Sequence, residues 1–189
     1  QKMDSVTIEE LRKVEACKEL PDEHLQWILD HSKLEVIEDG GLVTKFGDPA
    51  DFMWILLNGK VTFYMNVNGR QVYYYTFENN NIAGGVGGLM PYSRMKTIPG
   101  YSYAVGDLRL LRMHKDCFTE LEQLNPGFIQ KLIGYMTERA KTFATTKLQH
   151  EKVNALGNLA AGVAHELNNP ATAINRISTK KNNLKIKHF

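Results

Sequence analysis

The sequence predicts an α+β protein: a β-sandwich or barrel held between helices, followed by a long helix with a heptad seam. Three observations carry that reading. Short apolar runs punctuated by Gly, Asn, Asp and Pro turn residues recur every 8–12 positions through the middle of the chain. Helical spacing of apolar residues flanks them on both sides. Near the end, Val153, Leu156, Ala160, Val163, Leu167, Pro170, Ile174 and Ile177 alternate in steps of three and four, the repeat of a two-stranded seam.

In chain order, Thr7 and Glu10 form a capping box before Leu11, Val14 and Leu20. Pro21 starts a second helix carrying Leu25, Trp27, Ile28 and Leu29. The period then changes. Leu34–Ile37 and Leu42–Val43 read as short strands about Asp39-Gly40-Gly41, and Gly47-Asp48-Pro49 as a turn. Phe52–Leu57 is a continuous apolar run ended by Gly59. Val61–Val67 and Gln71–Phe77 flank Asn68-Gly69, a strong hairpin signal. Tyr101–Val105 and Leu108–Met113 are two more strands. Tyr73, Tyr74 and Tyr75 are expected to alternate faces, as core and surface rather than a stacking platform. From Asp116 the helical period returns through Phe118, Leu121, Leu124, Phe128, Leu132 and Met136.

Composition excludes several classes. The net charge of +2 over 189 residues argues against a dedicated nucleic-acid surface. Two cysteines, Cys17 and Cys117, fit a reducing compartment and no disulfide framework. No apolar run approaches a membrane span, and no secretory leader opens the sequence, so a cytoplasmic location is expected. The opening Gln1 and abrupt end suggest an excerpt of something longer. Lys180, Lys181, Lys185 and Lys187 form a basic tail, read as a solvated end.

The seam helix also carries chemistry. At about 100° per residue, His165 falls roughly opposite the apolar stripe, with Glu166 beside it and Asn169 one turn on. Small residues Ala161, Gly162 and Thr172 leave room for close approach. An imidazole offers a free nitrogen nucleophile at cell pH, and a neighbouring carboxylate can orient the ring and take its proton. A His-Glu-x-x-His zinc pair is excluded by Asn169, and no metal site is expected.

The run His165-Glu166-Leu167-Asn168-Asn169-Pro170 resembles the phosphoacceptor box of sensor histidine kinases. The resemblance implies that His165 receives a phosphoryl group from ATP for relay to a response-regulator aspartate. It implies Glu166 as acid–base partner, Asn169 as positioning water or the receiving aspartate, and Pro170 as a helix kink. No Gly-rich nucleotide boxes follow, so ATP and magnesium belong to a catalytic domain outside this sequence. The chain alone is expected not to phosphorylate itself. The seam is expected to pair two copies as a homodimer.

The order of residues 8 to 143 resembles the cyclic-nucleotide-binding domain of the catabolite activator proteins. The marks are Gly41, Gly47-Asp48-Pro49-Ala50-Asp51, Phe52–Leu57, Gly59 and Gly69. This implies an eight-stranded jelly roll with helices before and after. It divides the chain into a sensor over 1–143 and the first helix of a dimerisation and phosphoacceptor domain over 144–189. The loop that cradles the cyclic phosphate in that family corresponds to Gly84, Gly85, Val86, Gly87, Gly88 and Leu89, with Arg94 and Thr97 beyond. Gly85 stands where the ribose-binding glutamate belongs. Losing that charge-assisted bond costs on the order of 1.5–3 kcal/mol, which argues against cyclic AMP or GMP. Another small anionic ligand, or none, stays open. The alternative function is a catabolite-activator-type transcription regulator, which needs a helix-turn-helix after the dimer helix.

Overall fold

The computed structural model describes residues 5–184, and side chains over residues 5–169. Two compact units divide between Ala144 and Thr145. The first opens with α1 (Ile8–Arg12), a 3-10 turn (Glu15–Cys17) and α2 (Asp22–Asp30). Six strands follow: β1 (Lys33–Ile37), β2 (Leu42–Thr44), β3 (Phe52–Val67), β4 (Arg70–Phe77), β5 (Val86–Gly88) and β6 (Gly100–His114). A second 3-10 turn (Lys115–Cys117), α3 (Phe118–Leu124) and α4 (Pro126–Leu184) complete the described residues.

Half of the capping box forms. The Thr7 hydroxyl accepts from the Glu10 amide at 3.1 Å, satisfying one of the orphan donors of a helix start. The Glu10 carboxylate is drawn instead to Arg109 on β6, which ties α1 to the sheet. Pro21 takes the N-cap position of α2 rather than its first helical residue.

Every strand pairing is antiparallel. The main path runs β1-β6-β3-β4, with β2 added to β6 and β5 to β3. The fold is the expected jelly roll, with six continuous strands where the resemblance implied eight. The physical reason is that two expected breaks are bends within strands. Register between β3 and β6 slips around Asn58 and Lys60, where Gly59 has φ +82° and Gly106 has φ +74°. Each glycine turns the strand through a left-handed position without ending it.

The apolar run in β3 hides a period of two. Met53 and Ile55 pack with Leu11, Leu25, Ile28 and Leu132 in a core between sheet and helices. Trp54 and Leu56 face the opposite way, into a core with Val61, Phe63, Phe77 and Leu110. Both faces are buried, so the strand reads as uninterrupted hydrophobicity. Tyr74 and Tyr75 do not alternate as expected: both are buried, and Tyr73 is exposed. Phe63 pairs with Tyr75 and Tyr64 with Tyr73, so Tyr74 is the extra residue of a bulge, which reverses the alternation locally. The hairpin at Asn68-Gly69 has φ of +51° and +78°, as a two-residue primed turn requires.

In the second unit α4 continues as helix through Pro170 to Leu184. Val153, Leu156, Val163 and Leu167 of the seam are exposed, at 48–70%. The side chains of Pro170, Thr172, Ile174, Ile177 and the basic tail lie outside the described residues. Among the described residues no helix is long and apolar enough to cross a membrane. Cys17 and Cys117 are free thiols, and burial pushes the Cys17 thiol up to about 12.

The two bend glycines give a paired test. A Cβ at Gly106 meets nothing within 4 Å, whereas one at Gly59 lies 3.0 Å from the Asp107 carbonyl oxygen. Gly106→Ala is expected to cost only the left-handed backbone term, about 1–2 kcal/mol. Gly59→Ala is expected to cost clearly more. Urea midpoints of the two variants measure this, and equal losses would count against the packing account of Gly59.

Candidate functional site

The sequence directs attention to two places: the jelly-roll interior and the outer face of α4. In the interior, β5 sits beside β3 with Trp54 opposite Gly87 and Met53 opposite Gly88. The Trp54 ring lies directly on these glycines. A Cβ at Gly87 would fall 2.0 Å from the ring, and one at Gly88 would fall 2.8 Å from its Nε1. Trp54 therefore occupies the space that the glycine loop leaves open.

The rest of the interior is filled by aromatic rings. Phe77 meets Trp54 edge-on at 4.8 Å and Tyr75 at 4.8 Å. Phe143, from α4, stacks on Phe63 at 5.5 Å with ring planes 3° apart, and contacts Tyr74 and Tyr75 edge-on. Such pairs contribute about 0.5–1.5 kcal/mol each beyond area burial. The cavity left among them is about 70 Å³, against roughly 300–1,000 Å³ for pockets that enclose drug-sized ligands. A neighbouring cavity of about 220 Å³ shares Thr44, Trp54, Gly88 and Ile98 and carries Asp48 and Asp51; Asp51 is paired with Lys115 at 2.7 Å.

The expected pocket residues separate in space. Gly84 and Gly85 have φ of +69° and +71°. A Cβ at Gly84 points into the Tyr135 ring and one at Gly85 towards Val14, both on the helical side. Val86 packs in the helical core. Leu89 joins a small cluster with Ala50 and Ile98. Arg94 is exposed, and Thr97 is exposed in an isolated bridge with Pro49. Of the eight, Gly88 lines the 70 Å³ cavity, and Met95 rather than Arg94 reaches it.

The cation at this cavity is Arg139 of α4. Its Nη2 donates to the Gly88 carbonyl at 3.3 Å, and its guanidinium lies over the Phe77 ring at 5.4 Å. The residue as a whole is partly exposed, yet its guanidinium is desolvated, which lowers its pKa to about 10. The Tyr75 hydroxyl opposes that shift weakly. Sequence reasoning missed Trp54, Arg139 and Phe143 as pocket residues. One signal was present: Leu132, Met136, Arg139 and Phe143 follow one helical stripe, with a charge on its apolar face.

On α4, His165, Glu166 and Asn169 are all exposed. Asn169 Nδ2 lies 3.4 Å from His165 Nδ1, so these two are brought together one turn apart. No cluster of three or more metal-ligating side chains occurs among the described residues.

Comparison with solved structures agrees with the fold. The chain is similar to the regulatory domain of Toxoplasma gondii protein kinase A, crystallised with cAMP (15% identity, TM-score 0.55, 69% of this chain and 48% of that one). It is similar to the catabolite activator protein of Thermus thermophilus (16%, 0.57, 74% and 63%). It is also similar to the sensor domain of the transcriptional regulator DNR from Pseudomonas aeruginosa (17%, 0.53, 70% and 92%). The chain thus spans 48% and 63% of the first two structures. The fold is cyclic-nucleotide-binding-like. No family model matches the sequence, and no curated protein matches it.

Arg139 sets a stability prediction. Its folded pKa is lowered, so the folded state carries the full cost of the charge below pH 10. That cost is relieved as pH rises through about 10 towards the unfolded value, because the folded state gives up the proton first. Arg139→Met is expected to melt at or above the wild-type temperature at neutral pH. The gap is expected to narrow above pH 10, measured by circular dichroism at matched pH. A clearly lower melting temperature for the variant would contradict the desolvation argument.

Proposed function

We propose that the chain is the sensory and phosphoacceptor portion of a two-component histidine kinase. In this reading the jelly roll responds to a signal, and α4 carries the response to His165. The observation that supports it is the exposed run His165-Glu166-Leu167-Asn168-Asn169, with Pro170 next in sequence and Asn169 holding the Nδ1 edge of the His165 ring. ATP and magnesium, supplied by a separate catalytic domain, provide the phosphoryl group. This chain's part is to present the ring. A ring nitrogen of His165 forms the new N–P bond as the bond to ADP breaks, and Glu166 takes up the ring proton. A response-regulator aspartate then accepts the phosphoryl group. The exposed seam residues support a homodimer, since leaving so many Leu and Val side chains in water is costly. Cyclic nucleotides are disfavoured as the signal, because Trp54 and the aromatic cluster fill the space they need.

The second reading, a catabolite-activator-type transcription regulator, has the support of the solved neighbours: two of the structures named above come from transcription factors. At the level of the comparisons it is the better supported of the two. Against it, residues 126–184 run as one helix, so no helix-turn-helix lies among the described residues.

Transfer of radiolabel from ATP, with a matched histidine-kinase catalytic domain in trans, separates the readings. Wild type is expected to be labelled, His165→Ala unlabelled, and Glu166→Gln slower by roughly 10²–10⁴-fold. The chain with ATP alone is expected to stay unlabelled. Label persisting in His165→Ala would place the acceptor elsewhere. Absence of label together with sequence-specific DNA binding would favour the regulator.

A second expectation concerns assembly. Light scattering at micromolar concentration is expected to give the mass of a dimer, and Leu156→Glu with Val163→Glu is expected to give a monomer. A monomeric wild-type chain would refute the seam.

A further inference from the structure

Asn125 belongs to two helices at once. Its backbone N–H donates to the Leu121 carbonyl at 2.9 Å and closes α3. Its side chain caps α4. Pro126, the first helical residue, has no N–H, and Asn125 Oδ1 accepts from the Phe128 amide at 2.9 Å. That contact fixes which way the side-chain amide points. With Oδ1 on Phe128, the Nδ2 group faces α2 and lies 3.0 Å from His24 Nδ1. An NH2 group only donates, so His24 Nδ1 must accept. The ring is therefore neutral, with its proton on Nε2. The cap, not the distance alone, decides both the amide and the tautomer. His31, on the residue after α2, is held the other way: its Nδ1 donates to the Trp27 carbonyl at 2.7 Å. That bond survives protonation of the ring. The bond from Asn125 to His24 does not, because a proton on Nδ1 sets donor against donor.

We propose that His24 and Asn125 form a proton-operated latch on the start of α4, closed by the neutral ring and opened by acid. Closing the latch and holding a second ring proton exclude each other. As pH falls through the range in which histidines titrate, about 5–8, one of two things gives way. Either the ring leaves Asn125, or the amide turns over and sets its Nδ2 against the Phe128 N–H. Both break the link between α2 and the α4 cap. The latch borders the helical core, where Phe128, Ile129 and Leu132 of α4 pack with Leu25 and Ile28 of α2. The charged groups on the surrounding elements are mostly engaged elsewhere. On α2, Asp22 pairs with Arg12, and Glu23 is exposed beside His24 in sequence. On α3, Glu120 accepts from Trp27 Nε1 at 3.0 Å, and Glu122 accepts from the Tyr92 hydroxyl. On α4, Lys131 donates to the Glu15 carbonyl at 3.3 Å. Among the described residues His24 forms no ion pair, so no carboxylate holds the ring in its charged form. The latch goes beyond the proposed function and is independent of which reading of the C-terminal helix holds.

The test uses the full chain labelled with ¹⁵N between about pH 5 and 8. Long-range proton–nitrogen spectra read the imidazole tautomers, and hydrogen exchange reads the backbone amides. At the alkaline end His24 is expected to carry its proton on Nε2, and His31, the internal control, on Nδ1. Exchange at the Phe128 amide, relative to amides inside β3, is expected to quicken on the order of 10-fold as His24 gains its proton. His24→Asn keeps an acceptor where Nδ1 stood and has no proton to gain, so Phe128 is expected to stay protected across the range. Asn125→Asp keeps the cap and accepts from a charged ring, so it is expected to reverse the trend, with protection rising in acid. A proton on His24 Nδ1 at the alkaline end, a Phe128 amide that ignores the titration, or the wild-type trend persisting in either variant would overturn the latch. The tautomer is read on the wild-type chain, so it decides even where a substitution disturbs folding.

Discussion

The close approach of β5 to β3 is the constraint on which the rest of the first unit depends. Two residues without side chains, Gly87 and Gly88, let the Trp54 indole lie flat against their backbone. No other residue type fits there, since even a methyl group at Gly87 would overlap the ring at 2.0 Å. Once Trp54 is so placed, Phe77 meets it edge-on, Tyr75 meets Phe77, and Phe143 from α4 closes the set. The same contact directs Met53 and Ile55 to the opposite face, where α1, α2 and α4 cover them. One strand thus feeds both cores, and a displacement of Trp54 is felt on each side of the sheet. Close-packed interiors transmit such shifts rather than absorb them.

The second consequence is electrostatic. Filling the interior with rings leaves little room for solvent around Arg139, and the guanidinium is held against Gly88 and Phe77 without a carboxylate. An arginine in that setting carries a desolvation cost. Groups of this kind persist at functional sites, where stability is traded for a poised interaction. Arg139 and Phe143 are four residues apart on α4, so the charge and the ring that seals the interior share a helical face. Any change in how that charge is satisfied acts on the helix that bears it.

The candidate site was only partly legible in the sequence. The grouping of His165 with Asn169 could be read because its logic is local: a histidine and an amide one turn on need only a helix to be brought together, and Asn169 does lie beside His165. The interior could not be read this way. Gly84 and Gly85 look like cradle residues, yet their left-handed backbone turns them towards Tyr135 and Val14. Arg94 has the right charge, but its loop leaves it exposed and sends Met95 inward. The cation that reaches the cavity, Arg139, lies far along the sequence, on a helix whose docking no spacing rule specifies.

What the sequence determined by itself were the features set by short-range physics. Asn68-Gly69 made its hairpin because both positions need positive φ. Thr7 capped its helix, and apolar periodicity separated helical from β segments. Tertiary structure decided the rest. It chose whether Gly59 and Gly106 end strands or bend them, because that depends on whether β3 and β6 have partners on both sides of the slip. It buried Tyr74 beside Tyr75 through a bulge that exists only relative to β3. It also chose Trp54, Arg139 and Phe143 as the residues that shape the cavity. Their meeting is a matter of which surfaces remain to be covered once the sheet has closed, and hydrophobic burial, being non-directional, leaves no local mark of that in the chain.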